Sequence, residues 1–235
     1  MAETGDINSI FESGSYAVSN AGWHEEDSEW KAAQIARTLE DNGVEFSSIC
    51  EVGCGAGGIL EALSITYDDC ALDGYEVSPA AFELCRKRET ARVHFFLEDL
   101  TQKDIHYDCL LCIDVFEHVE NYLWFLKSIR QKARYKVFHI PLDLSVSTIF
   151  RATPLKNARD SVGHLHYFTR ETALESLKYC GYEIADERYT TPFSDLPSKS
   201  LAQKLIRPLR KLAYAVSPDW SVRVLGGCSL IVLAK

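Results

Sequence analysis

Residues 46–58 read Phe46-Ser-Ser-Ile-Cys-Glu-Val-Gly-Cys-Gly-Ala-Gly-Gly58. A short apolar run ends in a carboxylate, Glu51, and then breaks into glycines. Glycine between a strand and a helix lets the chain turn tightly and lets a ligand approach the backbone. Gly53, Gly55 and Gly58 satisfy G-x-G-x-x-G, and an acid, Glu76, follows 23 residues after Gly53. That pairing alone fits a nicotinamide-dinucleotide fold.

Outward from this turn the chain alternates. Strands are predicted at Phe46–Val52, Cys70–Val77, Val93–Leu97, Tyr107–Asp114, Tyr135–Ile140 (stopped by Pro141), Tyr182–Tyr189 and Cys228–Leu233. Helices are predicted at about 27–42, 57–66, 79–89 and 121–133, and after a Thr169 cap up to Gly181. The first helix is capped by Asp27 or Ser28 and ended by Asn42-Gly43. Apolar strands alternating with helices mean a parallel α/β sheet covered on both faces. The stretch 143–163 reads as a loop.

The 235 residues fit one domain with a small addition, and an apolar fraction of 46% supports a packed core. The net charge of -9 makes the chain a poor generic binder of nucleic acid. The start has no basic, apolar signal segment and no run is long enough to span a membrane. The eight cysteines sit mostly in apolar runs without paired ligand spacing, so we assign them no metal or disulfide and expect a reducing, cytoplasmic setting.

Acids also end the third and fourth strands, at Asp99 and at Asp114, with Glu117-His118 close behind. Four successive strands thus carry carboxylates at their C-terminal ends, where open α/β sheets bind ligands. Such a rim repels a pyrophosphate and attracts a cationic nucleoside. S-adenosylmethionine, with a sulfonium, an ammonium, a ribose diol and an adenine amine, has that chemistry.

On these residues the chain resembles the class I S-adenosylmethionine-dependent methyltransferases, and among them the small-molecule group that includes ubiquinone-pathway O-methyltransferases. The resemblance implies a Rossmann-like, doubly wound, mostly parallel sheet of seven strands with the last antiparallel. It implies that Glu51, Gly53, Cys54, Gly55 and Gly57 surround the methionine portion of the cofactor. Glu76, with Val77, would meet the ribose hydroxyls, and Asp99 the adenine amine, with Leu100 beside the ring. Asp114 and Val115 would lie near the methionine end. The expected product is S-adenosylhomocysteine, and the expected partner a small-molecule or saccharide-type acceptor, methylated at oxygen or nitrogen. The alternatives are a non-catalytic binding or scaffold protein that kept the fold, and an NAD-dependent oxidoreductase.

Displacement at a sulfonium methyl needs orientation above all, and a base where the acceptor carries a proton. His118, His164, His166 and His24 are the candidates, and His139 is weighed beside them as a histidine satisfied within its strand. No metal is assigned. Asp114-x-x-Glu117-His118 nevertheless resembles a metal-binding pattern of small-RNA 2′-O-methyltransferases and some ubiquinone-pathway enzymes, which a distant histidine would complete.

Two segments remain. Residues 1–45, acidic up to residue 29 and carrying Trp23-His24, form an arm and helix expected to be part of an acceptor lid over the domain at 46–235. The basic insert at about 197–217 holds Lys199, Lys204, Arg207, Arg210 and Lys211 with leucines at i, i+4 spacing. We expect Pro208 to break it and its leucines to cover the sheet edge. The other reading is a weak contact with an anionic acceptor or a membrane surface.

Overall fold

A computed structural model describes residues 25–197 and 201–235. Its seven strands are β1 (Ser48–Val52), β2 (Ala71–Glu76), β3 (Val93–Leu97), β4 (Tyr107–Ile113), β5 (Ala133–Pro141), β6 (Ile184–Thr190) and β7 (Ser229–Ala234). They form one sheet in the order β3-β2-β1-β4-β5-β7-β6. The pairs among β1 to β5 are parallel, and β7 runs antiparallel to both β5 and β6. The expected doubly wound sheet with an antiparallel last strand is the one observed. The order reverses between β1 and β4, so a crevice opens beyond their C-terminal ends.

Helix α1 (Ser28–Asp41) buries Ala32, Ile35, Ala36 and Leu39, one stripe at helical spacing. It packs on α2 (Gly58–Thr66) and touches β7. Asp27 stands at its N-cap without a side-chain bond, behind a 3-10 turn at Glu25–Asp27. The next helices are α3 (Pro79–Cys85) and α4 (Tyr122–Ile129), each shorter than expected because a 3-10 turn follows it.

The stretch 143–163 is not a loop. It forms α5 (Val146–Arg151), α6 (Thr153–Asn157) and a π turn at Ala158–Val162. Ser145 and Thr148 make a reciprocal capping box and Pro154 sits in the first turn of α6, both helix-start signals. Helix α7 (Arg170–Tyr179) has the cap expected at Thr169, again a capping box, with Thr172. The short α8 (Pro192–Asp195) precedes α9 (Leu201–Val216), and α10 (Pro218–Leu225), capped by Ser217, was not expected.

Helix α9 runs straight through Pro208. The proline lies on the exposed side, where water can take the carbonyl that its missing N–H leaves free. Its leucines do not cover the sheet edge, because Leu205, Leu209 and Leu212 are exposed. The core sits on the two faces of the sheet, with Leu110, Phe116, Leu126 and Phe138 on one and Ile49, Leu60, Leu72 and Leu111 on the other. All eight cysteines are buried thiols.

Candidate active site

A cavity of about 1040 Å³ opens beyond the C-terminal ends of the parallel strands. It is large enough for a nucleoside cofactor with a small acceptor beside it. Glu51, Gly53, Cys54, Gly55, Glu76, Val77, Asp99, Leu100, Asp114 and Val115 all line it, as do His118, His139 and His164. Residues 1–24, with Trp23 and His24, lie outside the described residues, and so does Lys199.

The glycine turn is built by its neighbours. Gly53 takes a positive φ of 67°, and a Cβ there would stand 3.0 Å from Val115 Cγ2. Gly57 does not line the cavity among the described residues. Its φ of +80° and a prospective Cβ only 2.6 Å from Phe95 Cζ show that packing demands this glycine. The Gly55 N–H points at Glu76 and donates to Oε2 at 2.8 Å. Val77 and Ser78 N–H donate to Oε1 at 2.9 and 2.8 Å. Burial raises the Glu76 carboxyl above its usual range, and these three N–H groups pull it back. Asp99 Oδ1 accepts from the Thr101 N–H and hydroxyl.

Glu51 is buried at the end of β1 and its Oε2 has no hydrogen-bond partner. Burial pushes its carboxyl well above the usual range, against the pull of Lys31. A buried, unsatisfied acceptor is costly, and this one faces the cavity.

Asp114 sits in a tight turn after β4 with a left-handed φ of 54°, a conformation Asp tolerates better than most residues. Its N–H donates to the His139 carbonyl, and its Oδ1 accepts from His139 Nδ1 at 2.6 Å. An ionised carboxylate only accepts, so Nδ1 carries the proton and Nε2 faces the Thr190 hydroxyl at 2.9 Å. Lys31 of α1 pairs with Oδ2 at 2.7 Å. Burial by itself would raise the Asp114 carboxyl, but His139 and Lys31 outweigh it and hold the group well below the usual carboxylate range.

Sequence reasoning missed Lys31, although a signal existed. It is a cation one helical turn before Ile35, beside the apolar stripe of α1. Trp30, whose indole meets the His139 ring edge-on at 6.1 Å, follows from the same helix face.

The remaining histidines separate. His166 does not line the cavity among the described residues. Its Nε2 donates to the Val119 and Glu120 carbonyls at 3.0 and 3.1 Å, so its ring is committed to the backbone. His164 Nδ1 donates to Asp143 at 2.6 Å, which leaves Nε2 as the ring's acceptor. The His118 and His164 rings meet at 4.8 Å. Glu117, His118 and His164 each offer a ligand atom, all within 4.8 Å of one another. Glu117 is fully buried with neither oxygen hydrogen-bonded, and burial followed by the charge of Asp114 drives its carboxyl upward. These donors suit a divalent cation. Asp114 is not among them, because Lys31 and His139 hold it.

Comparison with known proteins places this geometry. A stretch of 88 residues is 32% identical to pavine N-methyltransferase of Thalictrum flavum subsp. glaucum. It covers 35% of this chain and only 25% of that protein, so the chain spans about a quarter of the length of that relative. Magnesium protoporphyrin IX methyltransferase of Synechocystis PCC 6803, solved with bound SAH, is 14% identical. It superposes with a TM-score of 0.60 over 88% of this chain and 82% of its own. The N-methyltransferase NodS of Bradyrhizobium japonicum WM9, also with SAH, is 16% identical with a TM-score of 0.56 over 87% and 84%. Both share the fold. The family described as a methyltransferase domain matches residues 23–187, from the arm to the middle of β6, and the chain therefore belongs to that family.

Proposed function

We propose that the cavity binds S-adenosylmethionine and that the protein transfers its methyl group to a small-molecule acceptor at oxygen or nitrogen. One observation carries the reading. Carboxylates from four consecutive strand ends, Glu51, Glu76, Asp99 and Asp114, converge on one cavity beside a glycine turn, and among the described lining residues Lys31 is the one permanent cation. That field favours a sulfonium with an ammonium over a dinucleotide pyrophosphate.

The roles follow from position. Gly53 and Gly55 bring backbone against the methionine portion, and Glu51 gives it a carboxyl whose Oε2 has no hydrogen-bond partner. Glu76, fixed by three N–H groups, presents its remaining lone pairs to the ribose diol. Asp99 and Leu100 flank the adenine. The acceptor approaches from the side of α1, Asp114 and the His118–His164 pair, and α1 forms part of its lid. Transfer is an in-line displacement in which the acceptor atom forms the new bond to the methyl carbon as the sulfur leaves with its electron pair. The site supplies proximity and alignment. Where the acceptor is protonated, its proton passes to Nε2 of His164, whose ring Asp143 orients.

A second reading rests on Glu117. Its buried, unsatisfied carboxylate supports a divalent cation held by Glu117, His118 and His164, which would supply a Lewis acid for an acceptor oxygen.

Calorimetric titration with S-adenosylmethionine, S-adenosylhomocysteine and NAD, each with and without chelator, tests the cofactor. We expect binding of the first two and none of NAD. Binding of NAD, or of none of the three, would overturn the reading. Turnover with an acceptor panel then separates an enzyme from a scaffold.

A further inference from the structure

Helix α9 is amphipathic, and it is mounted the wrong way round for a helix that packs. Its polar side faces the protein. Arg207 donates to the Ser194 carbonyl, Arg210 donates to the Leu225 carbonyl at 3.2 Å, and the Tyr214 ring meets Phe193 and Tyr189 edge-on. Its apolar side faces out. Leu205, Leu209, Leu212 and Val216, spaced i, i+4, i+7 and i+11, are 81%, 54%, 65% and 79% exposed. A soluble helix normally buries such a row.

The exposed row has neighbours. Helix α9 packs on α10, which carries the exposed Trp220, and α10 packs on α5. The outer side of α5 shows Val146, Ile149 and Phe150, the last 90% exposed. The glycines after α10 link the two helices, because a Cβ on Gly226 would stand 2.7 Å from Ser145 Oγ at the cap of α5 and one on Gly227 2.8 Å from Arg210 of α9. Large exposed apolar side chains gathered on three neighbouring helices mark an interaction site.

We propose that α9, together with α5 and Trp220, docks on the surface of an anionic lipid bilayer. Charge decides among occupants. Helix α9 carries Lys204, Arg207, Arg210 and Lys211 and no acid, in a chain of net charge -9. Lys204 and Lys211 are exposed at one margin of the leucine row, where their stems can lie along the apolar face while their ammonium groups reach lipid phosphates. Two copies meeting on this face about a two-fold axis would set one all-basic helix against another. No helix among the described residues is long and apolar enough to cross a membrane, so the contact is one that lies in the interface. The docking does not depend on which cofactor the cavity binds.

Co-sedimentation of the full chain with vesicles tests it. Phosphatidylcholine vesicles are compared with vesicles that also contain phosphatidylserine, and the oligomeric state is followed by analytical ultracentrifugation. The chain is expected to pellet with the phosphatidylserine vesicles and to be released by high salt. The double variant L205S/L209S removes two exposed leucines and is expected to weaken partitioning by roughly tenfold or more. K204E/K211E is expected to weaken it comparably at low salt. Unchanged thermal unfolding and unchanged S-adenosylmethionine affinity of both variants establish that fold and cavity are intact. The proposal is overturned if the wild-type chain stays in the supernatant, if it binds both vesicle types equally, or if L205S/L209S binds as tightly as wild type. It is also overturned if the chain self-associates through this face and L205S/L209S yields monomers without any vesicle binding.

Discussion

Replacing Lys31 by methionine tests how the first helix is tied to the reaction centre. The ammonium lies 2.7 Å from Asp114 Oδ2, and both side chains are largely buried. At that separation the attraction is several kcal/mol for an effective dielectric near 20. Breaking a fully buried pair costs about 3–5 kcal/mol, because the surviving charge stays desolvated. Here Asp114 keeps its bond from His139 and some exposure to solvent, and methionine keeps most of the aliphatic stem. We therefore expect K31M to lose about 2–3 kcal/mol at neutral pH, a fall in Tm of about 4–12 °C for a chain of this size. The pH dependence has a definite sign. Asp114 is held below its unfolded value, so its contribution is present above the ordinary aspartate pKa of about 3.9 and is lost as pH falls below it. Chemical denaturation of both proteins across pH should show the gap between wild type and K31M closing on the acid side. A loss under about 0.5 kcal/mol at neutral pH, or a gap that stays constant into acid, would refute the account of Asp114 as a charge stabilised by Lys31.

Further outcomes follow from the same geometry. E76Q puts an amide NH2 against at least one backbone N–H at 2.8–2.9 Å and should weaken S-adenosylmethionine binding by roughly tenfold or more in calorimetry. An unchanged affinity would remove Glu76 from the ribose contact. G57V, with its Cβ forced to within 2.6 Å of Phe95 at φ +80°, should destabilise the fold by about 2–4 kcal/mol in denaturant. Burial raises the Glu51 and Glu76 carboxyls. A cationic ligand prefers them ionised, so its affinity should climb as pH rises through their raised range, and a flat profile would count against the charge argument. H164A should cut turnover more than it cuts cofactor affinity. If manganese shifts the wild-type melting curve upward and leaves H164A unmoved, the cation reading gains direct support.

The sheet was legible because strand cores are continuous apolar runs and because the ends of the first four strands announce themselves with a carboxylate. Glu51, Glu76, Asp99 and Asp114 all reach the cavity for that reason. What escaped depends on contacts distant in sequence. Asp143 and His164 are 21 positions apart, and His139 and Thr190 are 51 apart, and no local spacing connects either pair. His164 and His166 look alike in the sequence, yet backbone carbonyls claim one ring and a carboxylate orients the other. Helix α9 failed for another reason. Its periodicity is plain in the sequence, but periodicity says only that a helix has two faces, not which of them the protein keeps. The stretch 143–163 carried its helix signals, Ser145 with Thr148 and Pro154, and the absence of a strong apolar stripe hid them.

Charge is placed by task. A chain with excess acid lines its cavity with carboxylates, where they favour a positively charged donor molecule, and keeps Lys204 and Lys211 exposed on α9. A basic cavity would repel a sulfonium, and acids in place of Lys204 and Lys211 would repel the lipid phosphates of the proposed contact. Lys31 fits this division as the exception, because it is consumed by Asp114 and so lends the cavity little net positive charge. If a lysine were needed there to bind an anion, it would stand unpaired, with its ammonium aimed into the cavity. Its pairing with Asp114 at 2.7 Å instead places it as a tether between the first helix and the fourth strand.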